Sequence, residues 1–195
     1  MSEDEAEPQP APGFPAGLAA LIAQAGQPAA PRPVERWTPP DCGDIDMRVG
    51  VDGTWYYMGT PIGRDALVRL FASILRREPD GRYVLVTPVE KVGIRVDDAP
   101  FLAVEMAAAG EGGSRRLTLR TNVGDIVEAG FGHPIRFEIE SETGGLKPYV
   151  TVRGGLDARF TRSLAQELVA LAEARDGASG ILSGGAFFPF PAFEP

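Results

Sequence analysis

Apolar residues recur with the same spacing in two stretches of the chain, one beginning at Trp55 and the other at Tyr149. The two stretches, "WYYMGTPIGRDALVRLFASIL" and "YVTVRGGLDARFTRSLAQELV", start 94 residues apart and share one identical residue, Leu70 with Leu164. Even so, nine of their 21 aligned positions are apolar in both. The pattern indicates that one structural unit is used twice.

The first copy is predicted to be a β-hairpin followed by a helix. Apolar and polar residues alternate over 44–59 on both sides of Asp52-Gly53, a dipeptide typical of two-residue hairpin turns. From Ala66 to Leu75 the apolar residues then follow at intervals of three and four, which predicts an amphipathic helix that ends near Pro79.

The second copy follows the same plan. Its sequence predicts a hairpin over 134–153 and a helix that ends before Gly177. We therefore expect 45–77 and 135–175 to superpose as hairpin plus helix. Leu70 and Leu164 should then face equivalent parts of the core.

The chain between the two copies is predicted to be a run of antiparallel strands, at 82–88, 91–98, 99–106, 115–122 and 124–130. Hairpins and helices at both ends of a strand-rich middle indicate an α+β fold. The length of 195 residues suits one domain or two small ones. We predict an N-terminal domain over 14–81 and a β-rich domain over 82–176 that is closed by the second helix.

The two ends of the chain differ from its middle. Residues 1–13 are acidic and proline-rich and are predicted to be disordered. Alanine and leucine recur at helical spacing over 15–26, and because this segment lacks the basic face of a membrane-surface helix, we expect it to dock onto the body. Residues 27–33 are predicted to be a stiff linker. The glycine- and phenylalanine-rich residues 177–195 are predicted to be a tail outside the fold.

The charge of the chain limits its partners. The net charge is −8, and half of it lies in residues 1–35, which hold five acidic residues and one arginine. Such a surface repels polymeric nucleic acid, whose non-specific binding requires a basic patch. A small anion in a local pocket is still compatible with it. No apolar run is long enough to span a bilayer and the acidic N-terminus is unlike a signal peptide, so we predict a cytoplasmic protein without membrane association.

Metal and nucleophile chemistry have little support in the residues. A single cysteine, Cys42, and a single histidine, His133, rule out a zinc site of the usual Cys/His ligand count. A carboxylate-only metal site stays open, with Asp44 and Asp46 as its best candidates; the alternative is a solvated strand edge. His133 has no serine or cysteine near it in the sequence to activate. We therefore predict no catalytic residue and no cofactor.

The stretch from residue 42 to 101 resembles a bacterial family, domain of unknown function 1285. The pieces "PIGR", "LVTPVEK" and "DAPF" are similar to the pattern of that family, and "GLAALI" and "YVTVRGGLDARF" extend the resemblance over about 17–175. The resemblance implies two domains with a repeated core, the second like pleckstrin-homology folds. It also implies a ligand site where the domains meet and a role in signal transduction.

Candidate contacts for an anionic ligand lie in the first copy and just after it. Thr87, Glu90 and Lys91 follow a strand in "TPVEK", where a hydroxyl and an ammonium can reach a ligand; the alternative is an exposed turn with a weak Glu/Lys pair. Arg64 lies at the first turn of a helix, where a cation opposes the helix dipole unless an anion binds; the alternative is a simple surface arginine. Tyr57 is predicted to be exposed and able to stack on a planar ligand.

The second copy adds a further candidate. Arg153, Gly154 and Gly155 resemble a phosphate cradle, in which glycines free backbone amides before a helix N-terminus. No Walker sequence is present, and the alternative is that the glycines only form the turn from strand to helix. If the loops of the two copies converge, these residues would join Arg64 and Lys91 at an inter-domain cleft.

Three hypotheses of function follow. The leading one is a non-enzymatic cytoplasmic sensor of a small phosphate-bearing or nucleotide-like molecule. The second is a protein-interaction adaptor that uses the aromatic tail to bind a protein partner. The third is a hydrolase or transferase with a carboxylate-bound metal.

The repeat makes a direct prediction about stability. Leu70→Ala and Leu164→Ala should each lower the free energy of unfolding by about 2–5 kcal/mol, because each removes a mid-helix core side chain. The neighbouring Arg69→Ala and Arg162→Ala should each change it by no more than about 0.5 kcal/mol. Urea unfolding of the four variants measures this; larger losses from the arginine variants would mean that the helices pack through their other faces.

Overall fold

The structure of the protein is a computed structural model that describes residues 13–23, 25, 32–141 and 143–192. Several predictions from the sequence lie outside these residues: the disorder of residues 1–12, most of the linker, at 27–31, and any role of Phe193. The chain divides into two compact units. Unit 1 holds Met1–Arg48 and Thr54–Arg95, and unit 2 holds Val49–Gly53 and Val96–Pro195.

The first sheet has six strands, in the order β3-β2-β1-β6-β5-β4. The helices and strands of this part are α1 (Ala16–Ile22), β1 (Asp41–Val49), β2 (Trp55–Tyr57), β3 (Thr60–Pro61), α2 (Asp65–Ser73), β4 (Leu75–Arg77), β5 (Tyr83–Val86) and β6 (Lys91–Val96). Because β5 pairs with both β4 and β6, unit 1 extends to Arg95, whereas the sequence placed the first boundary at residue 81.

The turn between β1 and β2 forms where the Asp52-Gly53 dipeptide predicts it. The Gly53 N–H donates a hydrogen bond to the Gly50 carbonyl at 2.9 Å. Gly53 has a φ of +78°, in the left-handed region that favours glycine. A Cβ at this position would also lie 2.9 Å from Leu102 Cδ1. Both the conformation and the space therefore require glycine.

The second sheet also has six strands, in the order β10-β11-β12-β7-β8-β9, and a third sheet has the order β13-β14-β15. Their elements are β7 (Phe101–Ala109), β8 (Arg116–Thr121), β9 (Ile126–Glu128), β10 (Ile135–Ile139), β11 (Leu146–Arg153), β12 (Leu156–Phe160), α3 (Arg162–Ala170), β13 (Glu173–Arg175), β14 (Ala178–Ser183) and β15 (Ala186–Pro189). The five strands predicted between the copies are confirmed as β5 to β9, and the fold is α+β.

The repeated succession of strands and helix is confirmed. β1, β2, β3 and α2 follow one another in the first copy, and β10, β11, β12 and α3 follow one another in the second. Leu70 is 6% exposed and Leu164 is 4% exposed, while Arg69 and Arg162 are exposed. Both helices therefore bury the leucine that the two copies share.

The two copies join the rest of their sheets through different strands. In the first sheet, β1 is the strand next to β6. In the second sheet it is β12 that joins, and it pairs in parallel with β7, with Ala158 opposite Phe101. The sequence predicted successive antiparallel strands only, so this parallel pair was not anticipated.

The second sheet is curled, because its two edge strands are neighbours in the chain. Residues 129–134 alone connect β9 to β10, whereas a flat six-stranded sheet is about 24 Å wide. The connection doubles back at Gly130 and His133, whose backbones exchange hydrogen bonds of 3.1 and 3.2 Å. A connection shortened in this way cannot cross a flat sheet of that width, so the two edges approach each other.

The C-terminal segment is part of the fold, which corrects the prediction of a free tail. β14 pairs antiparallel with both β13 and β15. The Ser183 hydroxyl is fully buried; it accepts a hydrogen bond from the Leu117 N–H at 2.9 Å and donates one to the Ala129 carbonyl at 2.7 Å. Phe188 is 8% exposed. The prediction was wrong because a short strand lies within the proline-rich sequence, and its alternate residues Ala186 and Phe188 are buried.

Loss of the Ser183 hydroxyl should destabilise the protein. Ser183→Ala leaves two buried backbone groups without their partner, and we expect a loss of about 2–4 kcal/mol in the free energy of unfolding. Ser179→Ala, at the exposed beginning of the same strand, is the matched control and should be nearly neutral. Truncation after Gly177 should lower the melting temperature strongly. An unchanged melting temperature for the truncated chain would contradict the docking of this hairpin.

Candidate functional site

The "TPVEK" turn is the docking site of helix α1. Thr87 Oγ1 accepts hydrogen bonds from the backbone N–H groups of Val89 and Glu90, at 3.3 and 3.1 Å. Glu90 Oε1 in turn accepts one from the Leu18 N–H at 2.7 Å, which satisfies one of the free donors at the start of α1. A Cβ on Gly17 would lie 2.7–2.9 Å from these turn side chains. The predicted docking of the N-terminal helix is confirmed, and Thr87 and Glu90 are both buried beneath it.

Lys91 is held by acidic residues of unit 1. Its Nζ lies 3.2 Å from Glu78 Oε2 and 3.9 Å from Asp41 Oδ2. Glu78 is also paired with Arg76, at 2.6 Å, and Asp41 with Arg82. Burial opposes the ionisation of Glu78, but the hydrogen bonds from Arg76 and Lys91 outweigh it and lower the pKa of the Glu78 carboxyl. Lys91 therefore belongs to a row of alternating charges that balances its own charge.

Tyr57 is partly covered by the N-terminal segment, which corrects the prediction that its ring is exposed. Its hydroxyl donates a hydrogen bond to the Gly13 carbonyl at 2.6 Å. Phe14 stacks on the ring with 4.0 Å between ring centroids. Phe14 thus takes a stacking position that a planar ligand would need. Arg64 is exposed and occupies the N-cap position of α2, next to the first turn.

The predicted phosphate cradle is a strand-to-strand turn. Gly154 and Gly155 connect β11 to β12, and α3 begins only at Arg162. The two glycines therefore do not precede a helix N-terminus, which the cradle requires. The Arg153 guanidinium pairs with Asp125 at 2.5 Å and lies 5.0 Å from the centroid of the Phe101 ring. The alternative interpretation, a turn from strand to helix, is right that the glycines form a turn, but this turn leads into β12 and not into a helix.

The predicted site residues fall into two sets. Thr87, Glu90 and Lys91 share one turn of unit 1. Tyr57 and Arg64 belong to the same unit but not to this turn. Arg153, Gly154 and Gly155 share one turn of unit 2. The convergence of the two sets on one ligand stays a prediction.

Unit 2 also holds a polar cluster that the sequence analysis did not identify. Asp98 accepts a hydrogen bond from the Tyr149 hydroxyl at 2.7 Å and pairs with Lys147 and Arg159 at 3.2 and 3.1 Å. The Arg136 guanidinium lies 3.9 Å from the centroid of the Tyr149 ring. The cluster ties the "DAPF" segment, through Asp98, to β11 and β12.

The protonation states of this cluster are set by its own contacts. Burial raises the pKa of Tyr149 to about 12, so its hydroxyl stays a proton donor. Burial also acts to raise the pKa of Asp98, but the hydrogen bonds from Tyr149 and Lys147 outweigh it and hold that pKa below its usual range. Near neutral pH the cluster is a fixed arrangement of a carboxylate and a phenol, and it serves to position the chain.

A surface hollow of about 220 Å³ lies elsewhere in unit 2, between two glycine-rich turns. It is lined by Gly113, Ser114, Arg115, Arg116, Glu128, Gly184 and Gly185. One turn, Gly112–Ser114, precedes β8, and the other connects β14 to β15. Gly184 has a φ of +55°, and a Cβ there would lie 2.8 Å from the Ala129 carbonyl oxygen. Only glycine allows the C-terminal hairpin to approach the sheet this closely.

The two arginines of the hollow are held differently. Arg115 Nη1 donates a hydrogen bond to the Leu171 carbonyl at 2.8 Å and lies 3.7 Å from Glu173. Arg116 is exposed, and its Nε lies 3.9 Å from Glu128, a long and exposed ion pair that contributes little. The hollow is thus lined by two arginines and by residues of both turns. A guanidinium group is suited to an oxyanion, because it donates charge-assisted hydrogen bonds in a fixed plane.

The sequence carried only a weak signal for this hollow. The segments "EGGSRR" and "LSGGAF" are far apart in the chain, with their first glycines, Gly112 and Gly184, separated by 72 positions. The sequence predicts that Arg115 and Arg116 lie in a strand and that Gly184 and Gly185 lie in a free tail. Without the docking of the C-terminal hairpin, nothing brings the two segments together.

Two family models match consecutive parts of the chain. One, the N-terminal domain of DUF1285, a domain of unknown function, matches residues 32–99, and the other, the C-terminal domain of DUF1285, matches residues 100–190. The chain belongs to the DUF1285 family. The resemblance found in the sequence is thereby confirmed. The boundary between the two DUF1285 models, at residues 99 and 100, lies close to the division between the two units at Arg95 and Val96.

Solved structures of other DUF1285 family proteins are similar to this chain. A crystal structure from Silicibacter pomeroyi DSS-3 shares 54% sequence identity, with a TM-score of 0.81 over 87% of this chain and 93% of that chain. One from Shewanella baltica OS155 shares 28% identity, with a TM-score of 0.49 over 64% of this chain and 90% of that chain. No curated protein matches the chain. The hollow lies within the C-terminal DUF1285 domain, whereas α1 precedes the matched residues.

Metal-binding clusters and membrane-spanning helices are two further features that the described residues can be compared with. Within the described ranges, no group of three or more histidine, cysteine, aspartate or glutamate side chains is arranged to hold a metal ion. None of the helices in the described part of the chain has the length and apolarity that crossing a bilayer requires.

The Asp98 cluster predicts a pH-dependent stability. Asp98→Asn should lower the free energy of unfolding by about 1.5–3 kcal/mol at pH 7, because it removes the charge that Lys147 and Arg159 share. The folded-state pKa of Asp98 is below the unfolded value of about 3.9, so the contribution of the carboxylate is complete above that value and is lost as the pH falls through the folded pKa.

Urea unfolding of the wild type and Asp98→Asn between pH 7 and pH 2 measures this difference. The difference in the free energy of unfolding between the two proteins should stay constant down to about pH 5 and become smaller below pH 4. Glu167→Gln, an exposed change on α3, is the control and should be nearly neutral throughout. A gap that persists unchanged at pH 2 would contradict a role for the carboxylate charge.

Proposed function

We propose that this DUF1285 protein is a non-enzymatic ligand-binding protein and that it holds the phosphate group of a small molecule in the hollow of unit 2. The observation that supports the proposal is the joint lining of the hollow by Arg115, Arg116 and two glycine-rich turns. Arg115 is already oriented by the Leu171 carbonyl, so less side-chain freedom is lost when an anion binds. When the anion binds, Arg116 exchanges its long contact with Glu128 for a short contact with the anion.

The size of the hollow supports an anionic group rather than a whole cofactor. Sites that enclose drug-sized ligands have volumes of about 300–1,000 Å³, and the hollow has about 220 Å³. A phosphate group fits within this volume, while the remainder of the molecule lies over the rim. Affinity then comes from a few charge-assisted hydrogen bonds, which fits a molecule bound reversibly as a signal.

The local charge is compatible with this ligand in a protein of net charge −8. Arg115 and Arg116 face two carboxylates, Glu128 and Glu173, both at distances above 3.5 Å. An oxyanion that makes contacts below 3 Å to the guanidinium groups competes well with such distant partners.

Several finer features belong to the same proposal. A role in signal transduction, a cytoplasmic location and a pleckstrin-homology-like C-terminal domain follow from the resemblance and from the acidic N-terminus, and they stay predictions. The adaptor hypothesis has less support from the packing of the rings than from the sequence, because Phe188 is buried and Phe190 packs edge-on against Phe137, with 4.9 Å between ring centroids. A protein partner of the aromatic segment would have to bind the rings that remain accessible.

The proposal can be tested with ribose 5-phosphate and AMP as probes, by isothermal titration calorimetry of the full chain. Arg116→Ala should weaken the binding of both by about ten- to a hundredfold, since a charge-assisted hydrogen bond contributes about 1.5–3 kcal/mol. Glu128→Gln should strengthen binding by about two- to fivefold, because it removes a competing carboxylate.

The control is Arg120→Ala, on the same strand β8 and paired with Glu105 outside the hollow. It should leave the affinity for both probes unchanged. Absence of binding by the wild-type protein, or an equal loss with Arg120→Ala and Arg116→Ala, would overturn the proposal.

A further inference from the structure

Phe131 is an exposed aromatic ring at the edge of the hollow. It is 82% exposed, and among the described residues it is the only aromatic side chain in the exposed class. A Cβ built on Gly185, which lines the hollow, would lie 3.9 Å from Phe131 Cε2. The ring therefore stands directly beside the proposed phosphate position.

The loop that carries Phe131 is held in place on both sides. The Gly130 and His133 backbones exchange two hydrogen bonds across it, at 3.1 and 3.2 Å. His133 Nδ1 lies 3.0 Å from the Thr151 carbonyl oxygen, and the Thr151 N–H donates to the Pro134 carbonyl at 3.0 Å. On the other side, a Cβ on Gly184 would lie 3.2 Å from Gly130 Cα. A ring presented on such a loop is already positioned before a ligand binds.

We infer that Phe131 is a stacking platform for a nucleobase, so that the hollow and this ring together bind a nucleoside 5′-phosphate. The inference rests on the proposed function and names its ligand class. An exposed aromatic ring offers a base a flat apolar face without selecting one base by hydrogen bonds. The phosphate binds Arg116 in the hollow, the ribose crosses Gly185, and the base covers Phe131.

The other aromatic residue proposed for stacking is engaged elsewhere. The ring of Tyr57 is stacked on Phe14 and its hydroxyl is bonded to Gly13. Phe131 differs in that its ring is exposed and that an anion-binding hollow adjoins it. These two properties together distinguish it from a single exposed apolar residue, which by itself needs no explanation.

The test compares AMP with ribose 5-phosphate, which differ only by the base. Isothermal titration calorimetry of the wild type should give an affinity for AMP about tenfold or more above that for ribose 5-phosphate. Phe131→Ala should remove this preference by weakening AMP alone, with no change in melting temperature. Phe131→Trp should keep the preference, and its added indole fluorescence should respond to AMP and not to ribose 5-phosphate.

Ile126→Ala is the matched control, because Ile126 is an exposed apolar side chain on the strand that leads into the same loop. It should leave both affinities unchanged. Equal binding of the two probes with loss of both in Arg116→Ala would overturn the stacking role and retain the proposed function. A preference for AMP that survives Phe131→Ala would also overturn it. Absence of binding of either probe to the wild type would overturn both.

Discussion

The buried hydroxyl of Ser183 is the contact on which the arrangement of unit 2 around the hollow depends. It serves the backbone N–H of Leu117 and the carbonyl of Ala129 at the same time. An unpaired backbone group in a buried position destabilises a protein by about 1–3 kcal/mol, so the edge of the second sheet requires the C-terminal hairpin. Gly184 follows directly and brings the hairpin turn against the sheet. The hollow and the position beside Phe131 both result from this contact.

Charge pairing decides which cations are available for a ligand. Lys91 lies in a row of alternating charges with Glu78 and Asp41. Arg159 is paired with Asp98 at 3.1 Å. The Lys91–Glu78 and Arg159–Asp98 pairs are partly buried and short, at 3.2 and 3.1 Å, and removing either partner leaves an uncompensated charge. Arg116 is different, because its side chain is exposed and its carboxylate partner is 3.9 Å away. The acidic partner of Arg116 is therefore more distant than the closest acidic partners of Lys91 and Arg159.

The predictions that failed have a common physical cause. Alternation along β2 indicates which side chains share a face, but it does not say what covers that face, and Phe14 covers Tyr57 from a segment more than 40 residues away in the chain. The glycines of "RGG" were read as the start of a helix, whereas they turn β11 into β12. Both predictions missed the segment that covers or pairs with these residues, Phe14 over the Tyr57 ring and β12 beside β11.

The sequence alone determined many of the elements and their repeat, but not the short strands β4 and β13, which follow the two helices where longer helices were predicted. Hydrophobic spacing placed α2 and α3 and the strands β5 to β9, and Asp52-Gly53 located the first hairpin, because these features depend on contacts between residues close in the chain. The tertiary structure alone decided the parallel pairing of β12 with β7, the docking of the C-terminal hairpin through Ser183, and the meeting of Arg116 with Gly184. Each of these joins segments more than 50 residues apart, and their pairing depends on the free energy of burying complementary surfaces, which no local pattern records.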